Sequence, residues 1–147
     1  NLIRCRALGD AIIEGLPGYI GCAQENIIAI PPQGPFDPQK DYGDDAFSFS
    51  ARPVVALEPV SFGVALTMKN FEDSGALWLR TTVTTEISGD AFEVFVAQRP
   101  RLKVPLRYEG QLEPVWEAVF QEFLDTFKLD VMEFNDERFS SGIGFLP

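Results

Sequence analysis

A chain of 147 residues is the length of one ordinary domain, and folding takes roughly 70% of the extended surface of such a chain out of water, enough for a self-supporting core. Its 46% apolar and 23% charged residues are those of a globular rather than a disordered protein. A net charge of -10 argues against a nucleic-acid binder, whose affinity would come from neutralising phosphates, and no apolar run reaches the roughly 20 residues that span a membrane.

The chain, 1–147, reads as one domain, expected in the cytoplasm. No signal-peptide layout opens it, and Asn1 in place of Met leaves a processed or missing leader open.

In residues 2–16, Leu2, Cys5, Leu8, Ile12 and Leu16 recur at three- and four-residue spacing, the pattern of an amphipathic helix, and Leu16-Pro17-Gly18 is its expected stop. Gly9 and Gly15 each cost about 1 kcal/mol relative to alanine inside a helix, and Gly9 reads alternatively as a point of close packing. Residues 19–23 and 27–30 read as two short strands. Residues 31–45, with Pro31, Pro32, Pro35 and Pro38, read as a long surface loop, and such loops are usually functional or mobile. Its Asp37, Asp41, Asp44 and Asp45 are oxygen donors of the kind calcium uses, but the EF-hand spacing and its terminal glutamate are missing, so the default is a solvated acidic loop. Phe47 and Phe49 alternate with serines in a further strand, which residues 54–57 continue or repair between Pro53 and Pro59.

The organising stretch is 62–108. Four runs, 61–68, 77–87, 92–97 and 101–108, alternate with period two, and Phe62, Val64, Leu66, Leu79, Val83, Val94 and Val104 fall on one apolar face. Glu72-Asp73-Ser74-Gly75, Ser88-Gly89-Asp90 and Arg99-Pro100 suit the connections of an antiparallel meander. Pro105 has no amide proton to give, so the last run belongs at an edge or carries a bulge.

The clearest helix follows. Leu112, Val115, Trp116, Val119, Phe120, Phe123, Leu124 and Phe127 form its apolar stripe, with Pro114 suited to its first position and Glu113 and Glu117 complementing the dipole. The tail, 129–147, is too rich in large apolar groups for a disordered end. It is expected to return to the domain, with a short strand near 131–134, or to dock on a partner. The fold class is therefore α+β: an antiparallel meander sheet of about four to six strands, with an N-terminal and a C-terminal amphipathic helix on one face.

The chemistry is bounded mostly by what is missing. No histidine occurs, which removes the Ser-His-Asp and Cys-His systems, HExxH zinc sites and the usual base near neutral pH. Cys5 and Cys22 lack metal-ligand spacing and read as reduced thiols or as one bridge. Carboxylate pairs such as Glu72-Asp73 and Asp136-Glu137 follow from an acidic composition, and Ser140-Ser141-Gly142-Ile143-Gly144 matches neither GxSxG nor a phosphate loop. No cofactor or metal is implied.

The candidate site is the sheet face opposite the apolar one. Residues 61–108 carry six bases and five acids within a chain of 12 bases and 22 acids, so the sheet is its least acidic part. If the alternation holds, Trp78, Arg80, Phe95, Arg101, Lys103 and Arg107 share that face, an aromatic and basic patch of the kind found at interface centres. The competing reading has Trp78 and Phe95 covered by the N-terminal helix or the tail and the bases paired with Glu86 and Glu93. Glu113, Glu117, Glu122 and Asp125 form an acidic helix face, solvated by default and otherwise able to mimic phosphates toward a basic partner.

The first expectation is a protein-interaction domain, adaptor-like, chaperone-like or immunity-like, that binds a protein partner or a second copy through the Trp78 face or the aromatic tail. The second is a domain holding a small apolar ligand between sheet and helix near Phe120, Phe123 and Phe127. An enzyme without histidine ranks third. No motif marks a family. The layout of helix, antiparallel sheet and helix on an acidic chain is similar to that of bacterial secretion chaperones and immunity proteins, a likeness of architecture that transfers no site residue.

Overall fold

The computed structural model describes residues 2–49, 59–69, 76–133 and 143–146. Among them are two helices, α1 (Leu2–Ile20) and α2 (Glu113–Glu133), and seven strands: β1 (Ile27–Ile30), β2 (Phe47–Phe49), β3 (Val60–Lys69), β4 (Ala76–Ser88), β5 (Ala91–Val96), β6 (Leu102–Pro105) and β7 (Ile143–Leu146). The fold is α+β, its strand pairs antiparallel, with β3 to β6 as the expected meander. The seven strands fill five lateral positions, because two positions are each shared by short strands lying end to end. Along β3, Ile30 pairs with Gly63 and Phe47 with Phe62, so the register continues across the break while residues 31–46 leave the sheet and return. Along β4, β5 pairs with residues 83–88 and β7 with residues 76–79.

Residues paired across antiparallel strands point to the same side, so the alternation in sequence becomes two distinct faces. Phe62, Val64, Leu79, Val83, Phe92 and Val94 line one face and are almost wholly buried. Both helices cover that face: Leu8, Ile12 and Leu16 from α1, and Val115, Val119 and Phe123 from α2, join the same core. Each fully buried phenylalanine contributes roughly 1.5 to 3 kcal/mol. Thr85 is also buried there, its hydroxyl oxygen 3.4 Å from the Val60 carbonyl and 3.5 Å from that of Cys5.

α1 continues past its expected stop. Pro17 lacks a donor but its carbonyl still accepts, from the amides of Gly21 (2.8 Å) and Cys22 (3.0 Å), so the final turn forms. The terminator is Gly21, whose φ of 91° suits a residue without Cβ. The strand expected over 19–23 is consequently absent: Tyr19 and Ile20 close the helix, and Gln24–Asn26 form a 3₁₀ turn.

α2 opens with the Leu112 carbonyl accepting from Val115 and Trp116, both at 3.0 Å, which makes Pro114 the second helical residue, still within the turn that needs no donor. It runs through Glu133, so Val131 and Met132 are helical rather than part of a strand, and the tail returns to the sheet as β7. β6 is the outer strand, where Pro105 disrupts no ladder. The expected strand segment 54–57, the turn Glu72-Asp73-Ser74-Gly75, Phe134, Asp136-Glu137 and Ser140-Ser141-Gly142 lie outside the described residues.

The helices meet through a glycine and an indole. A Cβ on Gly15 would lie 2.1 Å from Trp116 Cζ2, and Trp116 Nε1 donates to the Ile12 carbonyl at 3.1 Å. One turn on, the Tyr19 hydroxyl donates to the Glu117 carboxylate, which also accepts from Gln121 at 2.9 Å. The bond to Tyr19 is the main cause holding Glu117 below the usual carboxylate range, and it pushes Tyr19 up to about 12. The lowered acid gives stability that is full above the ordinary glutamate pKa and lost as pH falls through the lowered value. The raised phenol gives stability that is full below about pH 10 and lost as pH rises toward 12. Tyr19→Phe is therefore expected to lie below wild type in urea midpoint near neutrality and to converge with it at both pH extremes. A constant difference across the range would remove this bond from the linkage.

Candidate functional site on the outer face of the sheet

The face away from the helices is built by the alternate residues of the same strands: Ser61, Gly63 and Ala65 from β3, Trp78, Arg80, Thr82, Thr84 and Glu86 from β4, Glu93 and Phe95 from β5, and Lys103 from β6. Trp78 and Arg80 thus stand on the expected side, opposite Leu79. Trp78 does not form one patch with Phe95, whereas Arg80 lines a hollow with it. Phe95 pairs with Thr84, six residues along β4 from Trp78, which at the rise of an extended strand is about 20 Å away.

Nor is the Trp78 end open. Residues 31–46 cross it: Phe36 packs edge-on against Trp78 with ring centroids 4.8 Å apart, and the Arg80 guanidinium lies 4.7 Å from the centre of the Phe36 ring. Arg80 donates to the carbonyls of Gly34 (2.7 Å) and Pro31 (3.1 Å), and the Thr82 hydroxyl donates to that of Pro32 (3.2 Å). Ile30 and Ala65 are fully buried on this side, apart from the main core. Among the described residues the cover is the proline-rich segment. It can cross because Gly63 has no Cβ, which would sit 2.8 Å from the Pro31 carbonyl oxygen.

The loop's aspartates are largely engaged. Asp37 accepts from the amide of Gln39 and Asp41 from that of Gly43, both short-range turn contacts, and Asp44 meets Arg6 of α1 at 2.7 Å. Among the described residues no group of three or more cysteine and acidic side chains is placed to hold a metal ion.

The basic residues separate. Arg101 reaches Glu93 at 3.3 Å, and Lys103 pairs with Glu93 across the ladder. Glu86, opposite Glu93, is pushed up by burial and then by its neighbour's hydrogen bond and charge. Arg107 is not on this face. Strand pairing ends at Pro105, and Arg107 instead lines a hollow of about 370 Å³ with Arg4, Ala7 and Phe92, on the side of α1. Three of the four acids of the helix face are engaged: Glu122 and Asp125 meet Arg99 at 2.7 and 2.5 Å, and Glu117 meets Tyr19, while Glu113 is exposed.

Between the covered end and the ionic end lie two hollows. One, of about 580 Å³, is lined by Gln33, Gly34, Arg80, Thr82, Thr84, Phe95, Ala97 and Gln98, with Glu122 and Thr126 at its helix side. The other, of about 590 Å³, runs past Phe47, Ser48 and Ser61. Pro32, Gln33, Thr82 and Thr84 belong to both, so the loop stands as a wall between them. On the floor, Ser61 and Thr84 share a hydroxyl contact of 2.8 Å. At the rim Ala97 has φ 50°, a conformation that costs a residue with a Cβ roughly 1 to 2 kcal/mol. Such strain is retained where surrounding structure imposes it, commonly beside binding sites. Sequence reasoning missed Gln33, Thr82, Thr84, Ala97 and Gln98. The available signal was Gly63 inside an apolar strand, which marks close approach of another backbone.

Glu122 and Thr126 of α2 line the first hollow and Arg4 and Ala7 of α1 the one at Arg107, but neither Phe120, Phe123 nor Phe127 lines any of the three. Phe123 is itself part of the buried core. Cys5 and Cys22 are free thiols, and burial raises the pKa of both, which suits packing better than nucleophilic chemistry. Among the described residues no helix is long and apolar enough to cross a membrane.

Together these features define an α+β protein with its helices on one side of an antiparallel sheet and a loop-walled polar trough that opens on the other and reaches Glu122 and Thr126 of α2. No protein-family model matches the chain, and neither does any curated protein or solved structure.

Proposed function

We propose that this chain is a protein-interaction domain that takes an extended segment of a partner along the outer face of its sheet, beside the proline-rich loop. The observation that carries the reading is how the face holds its own chain. Arg80 and Thr82 grip three consecutive-region carbonyls, those of Pro31, Pro32 and Gly34, while Trp78 and Phe36 supply an aromatic contact. Side-chain donors to main-chain carbonyls plus an aromatic surface are the means by which proline-rich and extended peptides are recognised. The trough beside the loop offers further groups of the same kind, Thr84, Gln98 and the half-buried Phe95.

The test is selection of a displayed random-peptide library on the immobilised protein, scored against Phe95→Ala and Thr84→Ala. Both substitutions lie away from the helix-side core, so folding should survive, which circular dichroism checks. Enriched peptides are expected to lose about tenfold or more in affinity on Phe95→Ala, the loss typical of an aromatic anchor. Peptides that bind wild type and both variants alike would sink the reading. A sedimentation run over a range of concentrations distinguishes a partner of different sequence from a second copy.

A further inference from the structure

We propose that the trough beside Arg80 receives a carboxylate, and that the partner segment ends there in its own C-terminal carboxylate. This rests on the peptide-binding reading above and adds the chemistry of the ligand's end.

Three observations converge. First, Arg80 is half-buried, yet among the described residues it has no carboxylate partner, in a chain with 22 acids and 12 bases. The other half-buried arginines among the described residues are matched: Arg6 meets Asp10 and Asp44, and Arg99 meets Glu122 and Asp125. A guanidinium partly removed from water favours a charged acceptor, because carbonyl oxygens offer only dipoles. Second, among the described residues its bonds go to Gly34 and Pro31, which use two of its five N–H groups and leave its Nε–H without a partner there. Third, the hollow it lines, about 580 Å³, is of the size that holds a small ligand or a peptide end, with amide donors on Gln33 and Gln98 and the Phe95 ring beside them.

The acid in that wall does not oppose this. Glu122 is held by Arg99 at 2.7 Å, which satisfies its charge within the chain. A single guanidinium matches a single negative charge. A phosphate would bring roughly two charges toward Glu122 and Asp125, so a carboxylate is the better fit.

The experiment is a set of titrations of the full chain followed by amide and arginine side-chain NMR signals. The probes are an acetylated Pro-Ala-Phe peptide with a free carboxylate, the same peptide as its C-terminal amide, 3-phenylpropanoate, and 3-phenylpropanamide. The free-carboxylate peptide is expected to bind about tenfold more tightly than its amide, the usual gap for a hydrogen-bonded charge. It should shift the Arg80 Nε signal and the amides of Thr82, Thr84 and Ala97. In Arg80→Gln the preference is expected to vanish. The Arg80 Nε shift in unmodified protein serves as the readout should that variant loosen the loop. Equal binding of peptide acid and amide overturns the carboxylate proposal and leaves the peptide reading standing. Binding of 3-phenylpropanoate without either peptide keeps the carboxylate site and overturns the peptide reading. No shift at Arg80 with any carboxylate probe overturns the proposal outright.

Discussion

Replacing Gly15 by valine is expected to destabilise the protein by about 3 kcal/mol, the upper range for forcing volume into a packed contact. Any Cβ at this position would stand 2.1 Å from Trp116 Cζ2 and 2.8 Å from Cε2 and Cη2, distances at which one helix has to move. The indole cannot swing aside cheaply, because its Nε1 is bonded to the Ile12 carbonyl and its ring lies 6.0 Å from Tyr19. The helix propensity of valine over glycine returns only a few tenths of a kcal/mol. Urea unfolding measures the loss. The mechanism is checked by repeating the substitution in Trp116→Leu, where the cost should fall to below about 1 kcal/mol, giving a coupling energy of the size expected for residues in contact. Simple additivity of the two changes would show that Gly15 matters for some reason other than the indole.

Gly63→Val is expected to cost about 2 to 3 kcal/mol and, separately, to lift the proline-rich loop from the sheet. The new side chain would meet the Pro31 and Ile30 carbonyl oxygens at 2.8 and 3.1 Å, and the Ile30 Cγ1 at 2.7 Å. The isoleucine can rotate, but the two carbonyls belong to the backbone at the point where it departs from β1. Displacing Pro31 also disturbs the bond it accepts from Arg80. Valine is otherwise favoured in a strand, so a net loss reports the obstruction alone. Faster tryptic cleavage after Lys40, on the exposed part of the loop, is the second readout. A variant with wild-type midpoint and wild-type cleavage would show that the loop does not depend on this gap.

Both predictions concern glycines whose cost inside regular structure was visible in the sequence, while the group requiring each one was not. Period-two runs placed Trp78 opposite Leu79, and Phe62 and Val83 on the apolar sides of their strands, because side-chain alternation is local to a strand. The i, i+3, i+4 stripe placed Val115, Val119 and Phe123 on one side of α2 for the same kind of reason. Proline misled in one place: after Pro17 the helix adds a turn, since its carbonyl accepts from Gly21. The aromatic and basic set was legible as a list but not as a place. Trp78 lies under the loop, Arg80 both touches the loop and lines the trough with Phe95, Arg101 and Lys103 belong with Glu93, and Arg107 leaves the sheet with the chain after Pro105.

By itself, then, the order of residues determined the antiparallel meander, its apolar face and the two amphipathic helices, because each rests on contacts or periodicities within one element or between neighbours in the chain. Only the tertiary structure decided that β1 and β2 share one lateral position, that residues 31–46 arch out between them, and that this arch covers Trp78 while leaving Thr84 and Phe95 beside a trough. Those outcomes depend on contacts across long separations, Gly34 with Arg80 and Gly63 with Pro31, and a gap in a strand's partner leaves no periodic trace in sequence.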